Sequence, residues 1–370
     1  MADLTVSAIP AFAVTLAAEQ RYLARRKAKR GTSPADYEPR DTRASLAMGT
    51  LSLLAPFVVP KLVAPFAPRG RYGKKVLGVA AAAAAITTIA DLIERASTST
   101  NQALSPPERD RAEAPTRTGW ARLARVASAA RTVTAPVAVV AGGVAASGAW
   151  RSVTNRQFLN DRRLLPDLGN GPIPFAIAMV GWDFVYYWNH RFMHEARYMW
   201  AIHVVHHSSE HYNLSTALRQ PVADTFGTYA PDGVMCLFGI RPSLIEQSRA
   251  INLLYQYWIH TDTIRSLGPL EWILNTPSHH RAHHGSNRQY LDRNHAGILI
   301  IWDRMFGTFE RERESVVYGL TKNINSFHPV VIALHEYRDI LRDVGAARNW
   351  HDRLSYVLRG PGWAYAHPVA

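Results

Sequence analysis

The sequence of 370 residues predicts an all-α, multi-helix integral membrane protein, and three observations carry that reading. Hydrophobic residues make up 47% of the chain, gathered in runs at 44–67, 76–92 and 132–150 that are too apolar for ordinary surface helices. Lysine and arginine exceed the acids by 13, and they cluster at the edges of those runs. The histidines fall at helical spacings, while no alternating strand pattern stands out. A basic balance also suits nucleic acid. Here, though, the basic residues border apolar segments and no recognition motif appears, so no nucleic-acid partner is expected.

Along the chain, the first run, Val6 to Ala18, has the apolar core of a signal peptide but no basic region before it. Arg21, Arg25, Arg26, Lys27, Lys29 and Arg30 follow it, which predicts an uncleaved first membrane segment. Pro56, Pro60 and Pro65 interrupt the run Leu51 to Ala67 and predict a kinked or re-entrant hairpin there. Residues 96–131, with Ser105-Pro106-Pro107 and several arginines, read as an exposed loop. Basic loops follow the first three runs, so charge asymmetry does not close the topology. An apolar, aromatic stretch from Ile173 to Trp188 leads into the first histidine pair, and further apolar stretches lie at 225–240, 250–259 and Ile298 to Trp302. Three regions result: membrane segments and basic loops over 1–160, a histidine-rich domain over 161–315, and a C-terminal extension over 316–370. Cys236 is the only cysteine, which excludes an intrachain disulfide and a thiolate metal cage.

All 16 histidines follow residue 189, and ten fall in three tight groups. His190 and His194, at i,i+4, share one helix face. His203, His206 and His207, with His211 one turn on, and then His279, His280, His283 and His284, each contain the pattern HxxHH. On a helix the first histidine of such a string neighbours both later ones, while the adjacent pair diverges by about 100° and so is able to face two different metals. Eight histidines (His190, His194, His203, His206, His207, His280, His283 and His284) are twice what one tetrahedral zinc takes, so two ions are the economical reading. Imidazole suits iron, zinc and copper alike, and ligand type alone does not choose. His260, His211 and His279 are further candidates, whereas His295, His328, His335, His351 and His367 read as ordinary hydrogen-bonded histidines. Asp183, Glu195, Glu210, Asp224, Asp262 and Asp303 lie close enough in sequence to receive the second N–H of metal-bound imidazoles.

These strings resemble the fatty acid hydroxylase superfamily, also called the sterol desaturase family, and within it the alkylglycerol monooxygenase-like branch. The matching residues run from Trp182 to Arg191, from His203 to Glu210, from Tyr212 to Gln220, through His260-Thr261 and Asn275 to His280, and from Ile301 to Phe309. The likeness covers about 173–310. It implies a few membrane helices under a cytosolic helical cap that holds a dimetal site, two iron ions on the eight patterned histidines, and His260 as a further ligand. It also implies O2 activation and attack on a C–H bond of a membrane lipid, such as a fatty acyl, alkylglycerol or sterol-type substrate. Tyr186, Tyr187, Trp188 and Trp258 then become candidates to line the lipid channel. No pterin-binding pattern is visible, and His328-Pro329 and His367-Pro368 lack the glycines that follow them in the haem motif of fused cytochrome b5 domains. A separate electron-transfer protein or reductant is therefore expected. Two competing readings stand beside this one: a membrane zinc hydrolase, for which HExxH is absent, and a non-enzymatic metal-binding membrane protein.

Overall fold

The computed structural model describes residues 4–67, 69–103, 114–223 and 232–369. These residues are helical as expected, and the only strand-like pairings among them are the isolated bridges Leu274 to Leu299 and Gly285 to Tyr318. The chain divides into two compact, discontinuous units, one of Met1–Val58 with Ser152–Glu336 and the other of Val59–Arg151 with Tyr337–Ala370.

Three helical segments are long and apolar enough to cross a membrane: Pro39–Phe66, Gly73–Ser99 and Gly119–Asn160, with mean hydropathies of 1.7, 2.0 and 1.5. The first run is not among them. It forms helix α1, Ile9–Arg30, whose second half carries the charged residues Glu19 to Arg30. Glu19 is buried, accepts hydrogen bonds from Tyr37 Oη (2.6 Å) and Leu214 N (2.8 Å), and also bonds Thr261. Arg26 pairs with Asp262 at 2.9 Å. The charged continuation of the first run is thus held by polar contacts to Leu214, Thr261 and Asp262, whereas Val6, Ile9 and Val14 of the run itself are exposed.

Two expectations are corrected. Helix α2, Pro39–Val63, runs through Pro56 and Pro60 and ends in a single 3-10 turn, Ala64–Phe66, where a hairpin was expected. Each proline removes one backbone bond, but an apolar surrounding penalises opening the remaining ones. The loop expected at 96–131 is mostly helix as well: α3, Gly73–Ala103, and α4, Ala114–Val153, enter it from both sides. Ser105-Pro106-Pro107 lie outside the described residues.

In the first unit, α5 (Pro172–Glu195) starts with proline at its first turn and stops at Ala196, whose extended backbone separates it from α6 (Arg197–His207). α7 (Pro242–Ile259) packs on α5 through Ala178, Trp182, Leu244 and Ile245, a core completed by Cys236 and Ile240. Burial pushes the Cys236 thiol up to about 11, which suits a packing role. α8 (Pro277–His283) and α9 (Ile301–Phe306) flank a loop that returns across the histidine-bearing helices. α10 (Pro329–Ala346) begins in this unit and continues into the other, where α11 (Trp350–Leu358) follows.

In the second unit the C-terminal extension packs on α3 and α4. Arg353 of α11 is buried and makes two bonds to the Asp91 carboxylate of α3, at 2.6 and 2.7 Å, and one to Ala347 O at 2.7 Å. A Cβ on Gly345 would lie 2.9 Å from Thr132 O of α4, so only glycine permits that approach.

Candidate metal centre

The helices α5, α6 and α8, with the end of α7, bring nine buried imidazoles together in two groups. His190, His194, His203, His207 and His283 form one, His206, His260, His280 and His284 the other, and within each the candidate ligand atoms all lie within 4.8 Å of one another. The helical period explains the division. The string on α6 gives its i,i+4 pair, His203 and His207, to the first group and His206 to the second. The string on α8 does the reverse, giving His280 and His284 to the second group and His283 to the first. His190 and His194 complete one group, and His260, just past the end of α7, completes the other.

The ring tautomers follow from the hydrogen bonds. Nδ1 of His190 donates to His295 O (2.8 Å), that of His283 to Arg293 O (2.8 Å), that of His260 to Gln256 O (2.7 Å) and that of His206 to Arg219 O (3.3 Å). A neutral imidazole with its proton on Nδ1 has a bare lone pair on Nε2. Yet His206 Nε2 and His260 Nε2 stand 3.1 Å apart, and His260 Nε2 and His280 Nε2 stand 2.9 Å apart. In the other group His203 Nε2 lies 2.9 Å from His190 Nε2 and 3.1 Å from His207 Nε2. The His206–His260 contact is therefore lone pair against lone pair, repulsive without a cation between them. Nε2 of His194, His283 and His284 is buried with no hydrogen-bond partner at all. Burial pushes His190, His203, His207, His260, His280, His283 and His284 well below the usual imidazole range, and brings His206 to about 4. Two sets of imidazole nitrogens result, a donor type that fits a transition-metal ion in each.

The supports differ from the carboxylates expected. The four anchored rings donate to backbone carbonyls, and among the described residues the carboxylate facing a grouped histidine is Asp292, with Oδ1 3.4 Å from His194 Nδ1. Asp303 and Asp183 act at one remove. Asp303 accepts from His295 N and Ala296 N, both at 2.8 Å, and from Thr308 Oγ1 at 2.6 Å. Asp183 accepts from Ile298 N, Leu299 N, Trp302 Nε1 and Asn252 Nδ2 at 2.7 to 2.9 Å. Together they hold the loop whose carbonyl fixes His190. A Cβ on Gly297, inside that loop, would lie 2.6 Å from Asn252 Nδ2 and 2.9 Å from Asp183 Oδ1. Burial pushes Asp303 up to about 6 and raises Asp183 too, against the pull of these donors. Asp262 and Glu195 pair with Arg26 and Arg191, Glu210 is exposed, and Asp224 lies outside the described residues.

His211 and His279 join neither group. His211 sits in the turn after α6, where its carbonyl accepts from Ser209 Oγ (2.7 Å) and Thr216 Oγ1 (3.0 Å). His279 lies edge-on to Phe309 at 5.3 Å. His328 and His335 are likewise in neither group, and His351 and His367 belong to the other unit. His295, read from sequence as an ordinary histidine, is fully buried, with ring centroids 4.9 Å from His194, 5.6 Å from His190 and 5.8 Å from His283. Neither of its nitrogens makes a hydrogen bond of ordinary geometry. No spacing relation ties it to the motifs, so pattern reading had nothing to detect. Among the aromatics, Tyr186 lies 5.3 Å from the His190 ring. Tyr187 is buried, 2.9 Å from Thr308 Oγ1, and stacks on Phe306. Trp188 packs on Phe306 and Phe192, and Trp258 on Tyr255.

Residues 175–308, which carry all nine grouped histidines, match the model of the fatty acid hydroxylase family. Over that segment the chain is similar to the fatty acid hydroxylase family, and the relatives it matches include several alkylglycerol monooxygenases. The chain is 50% identical over 199 residues to the alkylglycerol monooxygenase of Homo sapiens, a match covering 54% of this chain and 44% of that protein. For the Xenopus tropicalis alkylglycerol monooxygenase the values are 48% over 209 residues, with 56% and 47% covered. For that of Danio rerio they are 49% over 192 residues, with 52% and 43% covered. The chain thus spans less than half the length of these relatives. No solved structure matches the chain.

Proposed function

We propose that the protein is an O2-dependent, non-haem di-iron monooxygenase that oxidises a C–H bond of a membrane lipid, with a metal site on the cytoplasmic side and a separate electron donor. The observation that carries this reading is the pair of buried imidazole sets with bare nitrogens turned on one another. His190, His194, His203, His207 and His283 would hold one ion, and His206, His260, His280 and His284 the other. When bound, a redox-active metal pair would activate O2, the oxidant an unactivated C–H bond requires and no side-chain acid or base can replace, with two of the four electrons that O2 takes up drawn from the separate donor. The likeness to alkylglycerol monooxygenases favours iron over the other metals imidazole accepts and a lipid over a water-soluble substrate.

The protein residues supply the rest. Backbone carbonyls orient four of the rings, the Asp183 and Asp303 clamps keep one of those carbonyls in place, and Trp200 and Tyr212 pack against the imidazoles and keep water away. A zinc hydrolase would need a carboxylate base at the metal-bound water; Asp292 faces the outer nitrogen of His194 instead.

The test is metal analysis of the purified full chain, combined with lipid profiling of a host supplied with labelled O2, for the native protein and His206→Ala. Two irons per chain, and a labelled lipid alcohol or oxidised ether that disappears in the variant, are expected. Stable zinc with product formed under anaerobic conditions would overturn the reading.

A further inference from the structure

A cavity of about 270 Å3 lies on the side of α8 that carries His279 and Ser278. Its polar lining is rich in unused donors. His279 is only 2% exposed, and its ring is turned toward the Leu274 carbonyl without a hydrogen bond of ordinary geometry. Arg304 Nε is buried and unpartnered, while one terminal nitrogen of the same guanidinium donates to Glu271 O at 3.1 Å. Arg311 also lines the cavity, and among the described residues neither Arg304 nor Arg311 has a carboxylate partner within ion-pair distance. The two acids in the wall serve the fold: both oxygens of Glu312 accept from Arg281, at 2.9 and 2.7 Å, and Glu271 Oε1 accepts from Leu267 N at 3.0 Å. Two guanidinium ions lie 5.0 and 5.8 Å from the ring centre of Trp272, neither of them within ion-pair distance of a carboxylate, although Asp303 acts on Arg304 at longer range.

The rim has the opposite character. Leu270, Trp272, Ile273 and Met305 are 54%, 62%, 56% and 65% exposed. They adjoin one another, since Ile300 N donates to Ile273 O at 2.9 Å and Arg304 reaches Glu271 O. Exposed leucine, isoleucine and methionine beside tryptophan and arginine are what a protein surface presents at the boundary between acyl chains and headgroups. Inside that rim, convergent N–H donors and paired arginines match the several oxygens of a phosphate.

We propose that this cavity is a binding site for the phosphate of an anionic membrane lipid, with Arg304 and Arg311 holding the phosphate oxygens and Trp272 and Ile273 resting among the lipid chains.

The test uses the full chain in neutral detergent, titrated with short-chain dihexanoyl phosphatidic acid, with dihexanoylglycerol as its phosphate-free counterpart, and with inorganic phosphate. The native protein is expected to bind the phosphatidic acid saturably and the other two far more weakly. Arg311→Gln, a change at an exposed side chain, should weaken that binding about tenfold, and Arg304→Gln with Arg311→Gln should abolish it at unchanged metal content. Trp272→Ala, equally exposed, should weaken the lipid alone. Equal affinity in native and Arg311→Gln protein, or equal binding of dihexanoylglycerol, would overturn the proposal. Inorganic phosphate binding as tightly as the lipid would make this a soluble-phosphate site and overturn the headgroup assignment.

Discussion

His206 and His260 confront each other with both Nδ1 atoms committed to carbonyl oxygens, so neither ring is free to turn its proton inward. Removing either one leaves the four-histidine group a donor short. His206→Ala and His260→Ala are therefore expected to bind less metal than the native chain by elemental analysis, while His351→Ala, at an exposed position in the other unit, retains the full amount. His295 separates ligation from packing. With nine other imidazoles in the two groups, His295→Phe should keep its metal. It should also melt within a few degrees of the native chain, because the His295 ring makes no hydrogen bond of ordinary geometry for phenylalanine to lose. Loss of metal in that variant would make His295 a ligand. The eight patterned histidines were legible because a 3.6-residue period fixes which rings are neighbours. His295, Asp292 and the carbonyl anchors were not, because a lone residue has no spacing and a backbone oxygen has no sequence.

At the level of elements, the loop between α8 and α9 is suspended from two carboxylates. Asp183 receives four donors, two from backbone. Asp183→Ala should therefore destabilise the protein by more than about 3 kcal/mol and weaken metal retention through His190, an effect read in thermal melts with and without chelator. Gly297→Ala, which drives a methyl group into the same carboxylate and Asn252, should behave similarly at a cost of about 1–3 kcal/mol. The sequence marked Asp183 and Asp303 as important and named the wrong recipients for them: nearness along the chain suggested imidazole N–H, whereas the fold turns both acids to the loop backbone. Helix α2 shows the complementary failure. Three prolines argue for a break in water, but an apolar surrounding keeps the rest of the helix closed around the missing bonds.

At the level of the molecule, the all-helical fold and the three apolar segments were legible from composition and run length, whereas the pairing of the C-terminal extension with α3 and α4 was not. That pairing rests on Arg353 and Asp91, two buried charges whose partnership no local pattern announces. Arg353→Met strands the aspartate and should lower stability by about 3–5 kcal/mol, seen as a lower thermal aggregation midpoint.

The crossed use of the two HxxHH strings bears on how the protein is loaded. Each string gives two rings to one ion and one to the other, so the first ion to arrive already aligns most of the nest awaiting its successor. Native mass spectra taken during titration should show empty and doubly occupied chains with few carrying a single ion, which makes metal supply a near-binary switch on the amount of competent protein.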